Sequence, residues 1–176
     1  MGARLFIGSF VSSAASSAVY GLIKKAAFFP RRVVKPGNMH LTYAFLGDRD
    51  RWEDYISAAV AAASALKGAV VKIGGPGRFF SSGGTVFWLG VDFIGRDISG
   101  AVSRLVVDTG SVGQEKFVPH ITLARFGPSV PPPDFDGYSA LFSGFSFTEK
   151  LSSLSIVRSD LTPAGAVYTP LYTVKL

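Results

Sequence analysis

The sequence predicts an α+β fold with mainly antiparallel strands, and three observations carry that expectation. The inventory reads strand, helix, strand, helix, two strands, helix and then further strands, with no strict strand–helix repeat. Twenty Gly and ten Pro break the 176 residues into short pieces, which disfavours a long-helix bundle and favours strands in tight connections. Hydrophobic residues make up 48% of the chain and charged ones 17%, with 15 Phe, enough apolar side chain for a core and no case for disorder. The length is that of one domain, and residues 1–176 are read as a single two-lobed unit.

Leu5 to Phe10 is a short apolar run that reads as a buried first strand. Ser12 or Ser13 can N-cap a helix whose apolar positions Ala15, Val19, Leu22, Ile23 and Ala26 follow helical spacing. Lys24 and Lys25 sit near its C-terminal end, where the helix dipole favours cations, and Pro30 stops it. Pro36-Gly37-Asn38 marks a turn before a strand over Met39 to Leu46. Asp48 or Asp50 is placed to open a second helix, with Trp52, Ile56, Ala59, Val60, Ala63 and Leu66 on one face and Gly68 at its end.

Strands are then expected at Ala69 to Ile73 and Thr85 to Phe93, on either side of a Gly-rich hairpin loop over residues 74–84. That loop lacks the Lys-Ser/Thr ending of a phosphate-cradling loop and links two strands rather than a strand and a helix. Ile98, Val102, Leu105 and Val106 give a third helical face ending near Gly110. Pro119 to Phe126 reads as a strand closed by Gly127, and residues 128–133, with four Pro in six, as a surface linker. Strands at Phe145 to Glu149, Leu151 to Arg158 and Val167 to Val174 complete the chain.

Composition excludes several kinds of chemistry. With no Cys there is no disulfide framework, thiol nucleophile or Cys-ligated metal, and the chain suits a reducing compartment; a cytoplasmic location is the expectation. Only His40 and His120 could offer imidazole to a metal, with no obvious third ligand, so neither a metal nor any other cofactor is expected. Residues 5–23 carry no charge behind Arg4 and loosely resemble a signal peptide. Five Ser and two Gly interrupt that run, however, and its apolar opening, Leu5 to Val11, is too short to span a bilayer, so no membrane association is expected.

The net charge is +6, and all of the excess lies in the first quarter of the chain. Residues 1–47 hold six basic side chains (Arg4, Lys24, Lys25, Arg31, Arg32, Lys35) and no acidic one, whereas the other 129 residues hold twelve of each sign. Such a patch attracts polyanions such as nucleic acid or phosphorylated small molecules, and its plainer role is solubility.

Both histidines lie in one local pattern, His40-Leu41-Thr42-Tyr43-Ala44 and His120-Ile121-Thr122-Leu123-Ala124, spaced 80 residues apart. Side chains alternate along a strand, so His40, Thr42 and Ala44 are expected on one face and Leu41, Tyr43 and Phe45 on the other. Each strand then offers an imidazole beside a hydroxyl, backed by apolar side chains. One His beside a Thr is commonly structural; the same pattern around the only two His in the chain is poorly explained by coincidence. Strict alternation sends Arg125 away from His120, so a phosphate-binding role for it requires a bulge, strong twist or reach around the strand end, and a surface ion pair is the alternative.

These segments resemble the two-histidine phosphoesterase superfamily, specifically the RNA 2′,3′-cyclic phosphodiesterases also called 2′-5′ RNA ligases. Arg4-Leu5-Phe6-Ile7 is similar to the opening strand, Pro36 to Thr42 to the first motif, Phe87 to Val91 to the strand before the second half, and Phe117 to Arg125 to the second motif. Ser159 to Leu171, with Gly165 and Tyr168, is similar to the C-terminal segment, so the resemblance covers nearly the whole chain. Val33 stands where an aromatic residue is expected, and the early loop lacks the usual Pro and acidic residues.

The resemblance implies a bilobal fold of two pseudo-symmetric antiparallel sheets around a central cleft, with helices outside. It implies metal-independent opening of RNA 2′,3′-cyclic phosphate ends to 2′-phosphate ends, with His40 as proton donor, His120 as acceptor, and reversible 2′-5′ ligation as a secondary reaction. Thr42, Thr122 and Arg125 are the expected substrate-binding residues. RNA 3′ ends carrying a cyclic phosphate, tRNA fragments among them, are the expected partners of a monomer. Phe79, Phe80 and Tyr168 are candidates to stack on a terminal base, with core packing as their alternative role. A non-catalytic RNA-end binding module and a phosphoesterase for small cyclic nucleotides are the competing readings.

Overall fold

A computed structural model describes residues 3–25, 33–112, 116–129, 134–163 and 165–176. In chain order the elements are β1 (Ala3–Phe10), α1 (Ser13–Lys25), β2 (His40–Arg49), α2 (Ile56–Leu66), β3 (Val70–Ser81), β4 (Gly84–Phe93) and α3 (Ser99–Thr109). They continue with β5 (His120–Phe126), α4 (Phe135–Phe142), β6 (Ser146–Lys150), β7 (Ser153–Thr162) and β8 (Gly165–Lys175). Short 3₁₀ turns at Pro36–Asn38 and Glu53–Tyr55 precede β2 and α2.

The eight strands run β6-β3-β4-β5-β2-β1-β7-β8, every neighbour antiparallel. Two four-stranded halves are evident, because β2 and β5 meet through one register pair, Leu41 with Ile121, whereas the other ladders are longer. Each half is built on a strand–helix–strand unit, β1–α1–β2 in one and β4–α3–β5 in the other, plus a hairpin, β7–β8 or β3–β4. The two-sheet expectation therefore takes the form of one sheet with a narrow seam between its halves.

Helix packing fills one side of this sheet. Phe87 of β4 is buried against Tyr138 of α4, ring centroids 4.5 Å apart, while its neighbour Trp88 points to the other face, toward His120. The core includes Leu5, Ile7, Val19, Leu41, Leu105, Ile121, Leu123 and Leu154, all buried in one continuous cluster that spans both halves. Burying a side chain of this size contributes about 1.5–3 kcal/mol, so the apolar backing of both histidine strands holds the seam closed. Among the described residues no helix is long and apolar enough to cross a membrane.

Several local expectations match. Ser12 Oγ accepts a hydrogen bond from the Ala15 N–H and caps α1, and Gly110 takes the left-handed conformation that ends α3, with φ of 57°. The Pro30 stop and much of the 128–133 linker lie outside the described residues.

Other expectations need correction. The second helix does not open at Asp48 or Asp50: β2 continues to Arg49 because Arg49 pairs with Ala3 of β1, and α2 starts at Ile56. Its buried face is Ala59, Ala62, Ala63 and Leu66, with Val60 exposed. The Gly-rich stretch is mostly strand rather than loop. β3 runs through it to Ser81, with a bulge near Gly75 and Pro76 that accommodates the missing proline N–H. Gly77 is required there for a steric reason, since a Cβ would collide with the Trp88 ring. Finally, α4 was not expected; Asp134 caps it by accepting from the N–H groups of Asp136 and Gly137.

Candidate active site

Both histidine strands begin in the same way. His40 Nδ1 lies 2.7 Å from the Asn38 carbonyl oxygen, and His120 Nδ1 lies 2.7 Å from that of Val118. A carbonyl only accepts, so in each ring Nδ1 carries the hydrogen and Nε2 is the atom left to exchange protons. Asn38 is anchored in turn, its Nδ2 donating to the Ala166 carbonyl of β8 at 2.8 Å.

The seam brings the two patterns together. Leu41 pairs with Ile121 in antiparallel register, so one step to either side sets His40 beside Thr122 and Thr42 beside His120. Leu41 and Ile121 are buried in the core, which turns the imidazoles and hydroxyls to the opposite face. Thr42, His120 and Arg125 line one cavity of about 250 Å³. His40 and Arg125 line another of about 480 Å³. Phe45 and Arg125 are common to both, so the cavities adjoin as one cleft.

Arg125 reaches this cleft because of a β-bulge. Thr122 pairs with Trp88 and Ala124 with Phe87, which leaves Leu123 as the extra residue on β5. One unpaired residue reverses the alternation, and Arg125, opposite Val86, returns to the face that bears His120 and Thr122. The Leu123 carbonyl is taken by the Val34 N–H at 2.7 Å. The surface ion pair considered for Arg125 is not formed among the described residues; its guanidinium instead lies 3.5 Å from Thr122 Oγ1.

The same bulge recurs on β2, where Gly8 pairs with Thr42 and Ile7 with Ala44, leaving Tyr43 unpaired. Tyr43 and Ala44 are both buried and Phe45 emerges on the histidine face, the reverse of strict alternation. Phe45 is thus the counterpart of Arg125 across the seam. The halves match in imidazole and hydroxyl and differ here, with an apolar ring on one side and a cation on the other.

Aromatic rings enclose each imidazole. Phe6 stacks on His40 at 4.7 Å between centroids and Tyr168 meets it edge-on at 4.9 Å, with Phe10 at 5.8 Å. Phe79 meets His120 edge-on at 4.9 Å and Trp88 lies at 5.9 Å. Phe79 and Tyr168 therefore stand at the site, whereas Phe80 is 80% exposed near the hairpin tip, packed in neither core nor cleft. Phe6, Phe10, Phe45 and Trp88 were missed from the sequence, where nothing separates them from core aromatics. Of the Lys24 to Lys35 stretch, residues 26–32 lie outside the described residues.

Electrostatics follow from this enclosure. Burial pushes His40 down to about 4, opposed by the Asn38 carbonyl and assisted by the positive fields of Arg125 and His120. Burial also lowers His120, opposed by the Val118 carbonyl and assisted by Arg125. Tyr168 is raised by burial, with Arg125 acting against the rise. The Arg125 guanidinium thus faces both imidazoles and the tyrosine, and the cleft sets rings whose charged form is disfavoured beside a fixed positive charge, an environment suited to an anion. Among the described residues no three His, Asp or Glu side chains are grouped as metal ligands would be.

No family model matches the chain. A Thermus thermophilus protein named RNA 2′,3′-cyclic phosphodiesterase is 31% identical over 96% of this chain and 87% of its own length. The chain belongs to the RNA 2′,3′-cyclic phosphodiesterase family of two-histidine phosphoesterases. A Thermotoga maritima member of the same name is 30% identical over 92% of the chain and 87% of that protein. The crystal structure of TT0787 from Thermus thermophilus superimposes with a TM-score of 0.71 at 28% identity, covering 98% of this chain and 97% of that one. Membership in this two-histidine family accords with paired histidine strands on a shared cleft, and the fold expected from the resemblance is the one observed.

Proposed function

We propose that the chain opens 2′,3′-cyclic phosphates at RNA 3′ ends, leaving a 2′-phosphate and a free 3′-hydroxyl. The observation that carries this reading is the meeting of two His-x-Thr strands at the Leu41–Ile121 pair, with Arg125 turned to face both imidazoles. The relatives' name supplies the substrate class.

In the reaction water attacks phosphorus while the 3′ oxygen departs on the opposite side, and negative charge is carried on the non-bridging oxygens. His120 Nε2 takes a proton from the water as the new P–O bond forms. His40 Nε2 gives a proton to the 3′ oxygen as its bond to phosphorus breaks. Each ring keeps its Nδ1 hydrogen on a backbone carbonyl throughout, which orients it and confines exchange to Nε2. The pair needs one proton between its two exchanging nitrogens. Burial disfavours the protonated form of both rings, so the negative charge of the substrate stabilises the imidazolium that acts as acid.

The Thr42 and Thr122 hydroxyls and the Arg125 guanidinium donate to the non-bridging oxygens, as a preorganised site for developing charge does. The scheme draws only on protein side chains, so a chelator should leave the rate unchanged. A 5′-hydroxyl in place of water would give a 2′-5′ linkage by the same proton transfers, and hydrolysis is taken as the principal direction.

The test is an RNA ending in a 2′,3′-cyclic phosphate, incubated with metal-stripped protein, followed by identification of the product end. A 2′-phosphate product that disappears in both His40→Ala and His120→Ala supports the reading. Turnover retained by either variant, or dependent on added metal, sinks it.

A further inference from the structure

The difference between the two halves of the cleft suggests how an RNA chain would lie in it. The larger cavity, about 480 Å³, extends from His40 and Arg125 past Phe45 to Arg4. Its size falls in the range that encloses a small ligand such as a nucleoside, whereas the cavity of about 250 Å³ beside His120 falls below that range. Phe45 is 41% exposed and supplies an apolar stretch of the wall that also carries His40 and Arg4.

Arg4 is a cation without a partner among the described residues. Along β1 it shares the cleft face with Phe6, the ring stacked on His40, and stands roughly 7 Å further along the strand. Asp48 is its register partner on β2, yet the two form no ion pair, and among the described residues no hydrogen bond holds the guanidinium. A positive side chain thus stands free at the far end of a nucleoside-sized cavity whose near end holds the reacting groups.

In an RNA chain, the next negative charge after the cyclic phosphate is the phosphodiester on the 5′ side of the same nucleoside. We propose that Arg4 binds this 5′ phosphate, with the terminal nucleoside lying along Phe45, so that the cleft selects a chain end over a free nucleoside 2′,3′-cyclic phosphate. The inference rests on the phosphodiesterase reading above, and adds the direction in which the chain enters, over β1 on the His40 side.

The experiment compares kcat/KM for a nucleoside 2′,3′-cyclic phosphate bearing either a 5′-hydroxyl or a 5′-phosphate. Wild-type protein should prefer the 5′-phosphate at low salt, and Arg4→Gln should lower that preference about tenfold, the scale of one exposed charge-assisted hydrogen bond. The loss should lie in KM rather than kcat, since the contact is the same in ground and transition states, and 0.5 M salt should erode the preference in the wild type. Arg4 is exposed on an edge of the cleft, so the glutamine variant folds, which its circular dichroism and thermal midpoint would verify. A preference ratio unchanged by Arg4→Gln, or abolished by Lys116→Gln in the smaller cavity instead, overturns the inference while leaving the phosphodiesterase reading standing. If the wild type turns over neither compound nor an oligonucleotide with a cyclic end, both fall together.

Discussion

The depressed His40 imidazole makes a quantitative demand on the stability of the protein. Its ordinary value of 6.5 falls to about 4 in the folded chain, so between those limits the unfolded state binds a proton that the folded state refuses. The sign follows directly: the stabilisation is fully present above pH 6.5 and is lost as pH falls toward 4. Integrated to pH 4.5, the loss is about 2.5 kcal/mol, a large part of the roughly 5–15 kcal/mol that holds a domain folded. His40→Gln removes this titration while retaining a polar side chain. Urea unfolding of both proteins at pH 7.5 and pH 4.5 isolates the effect, because the other titrating groups largely cancel in the difference. The wild type should lose about 2.5 kcal/mol more than the variant over that interval. With only two His in the chain, an NMR titration of the ring protons assigns the midpoint directly. Parallel losses in the two proteins, or a His40 midpoint at 6.5 or above, would refute the argument that enclosure by Phe6, Phe10 and Tyr168 outweighs the carbonyl of Asn38.

Other consequences can be checked on the same material. Arg125→Gln removes a positive field from both imidazoles, so both His midpoints should rise, while turnover of a cyclic-phosphate RNA falls roughly 10²-fold or more from lost charge stabilisation. Thr42→Val and Thr122→Val keep shape and remove a donor, and each should lower kcat by roughly 10²-fold without changing the unfolding free energy by more than about 1 kcal/mol. Gly77→Ala places a methyl group against the Trp88 ring and should cost about 1–3 kcal/mol of stability in chemical denaturation, with a change in tryptophan fluorescence. An unaltered denaturation curve for that variant would mean that Trp88 can vacate its position beside His120 freely.

Much of the site was readable in one dimension because its elements are local. The repeated His-x-Thr places an imidazole and a hydroxyl on one face of any strand, whatever that strand pairs with, and the apolar Leu41 and Ile121 between them mark the opposite face as core. The capping serine of α1 and the terminating glycine of α3 were equally local, since each acts within one helical turn. The α4 helix had a local signal too, Asp134 ahead of Phe135, Tyr138 and Phe142 at helical spacing. A preceding run of prolines and an internal glycine obscured it.

What only the tertiary structure decided is where a residue falls once its strand has a partner. A bulge is a mismatch between two strands and has no signature in either one alone, so Arg125 and Phe45 could not be placed by counting alternation. The same holds for residues 74–81, which contain several turn-forming glycines and nevertheless extend, because pairing with β4 outweighs local preference; Gly74 and Gly77 stand where the Phe145 carbonyl and the Trp88 ring leave no room for a Cβ. Short-range chemistry thus determined which groups the chain possesses and which face of a strand they begin on. Long-range pairing determined that β2 and β5 meet at the Leu41–Ile121 pair, that Arg125 faces both imidazoles, and that its counterpart across the seam is a phenyl ring.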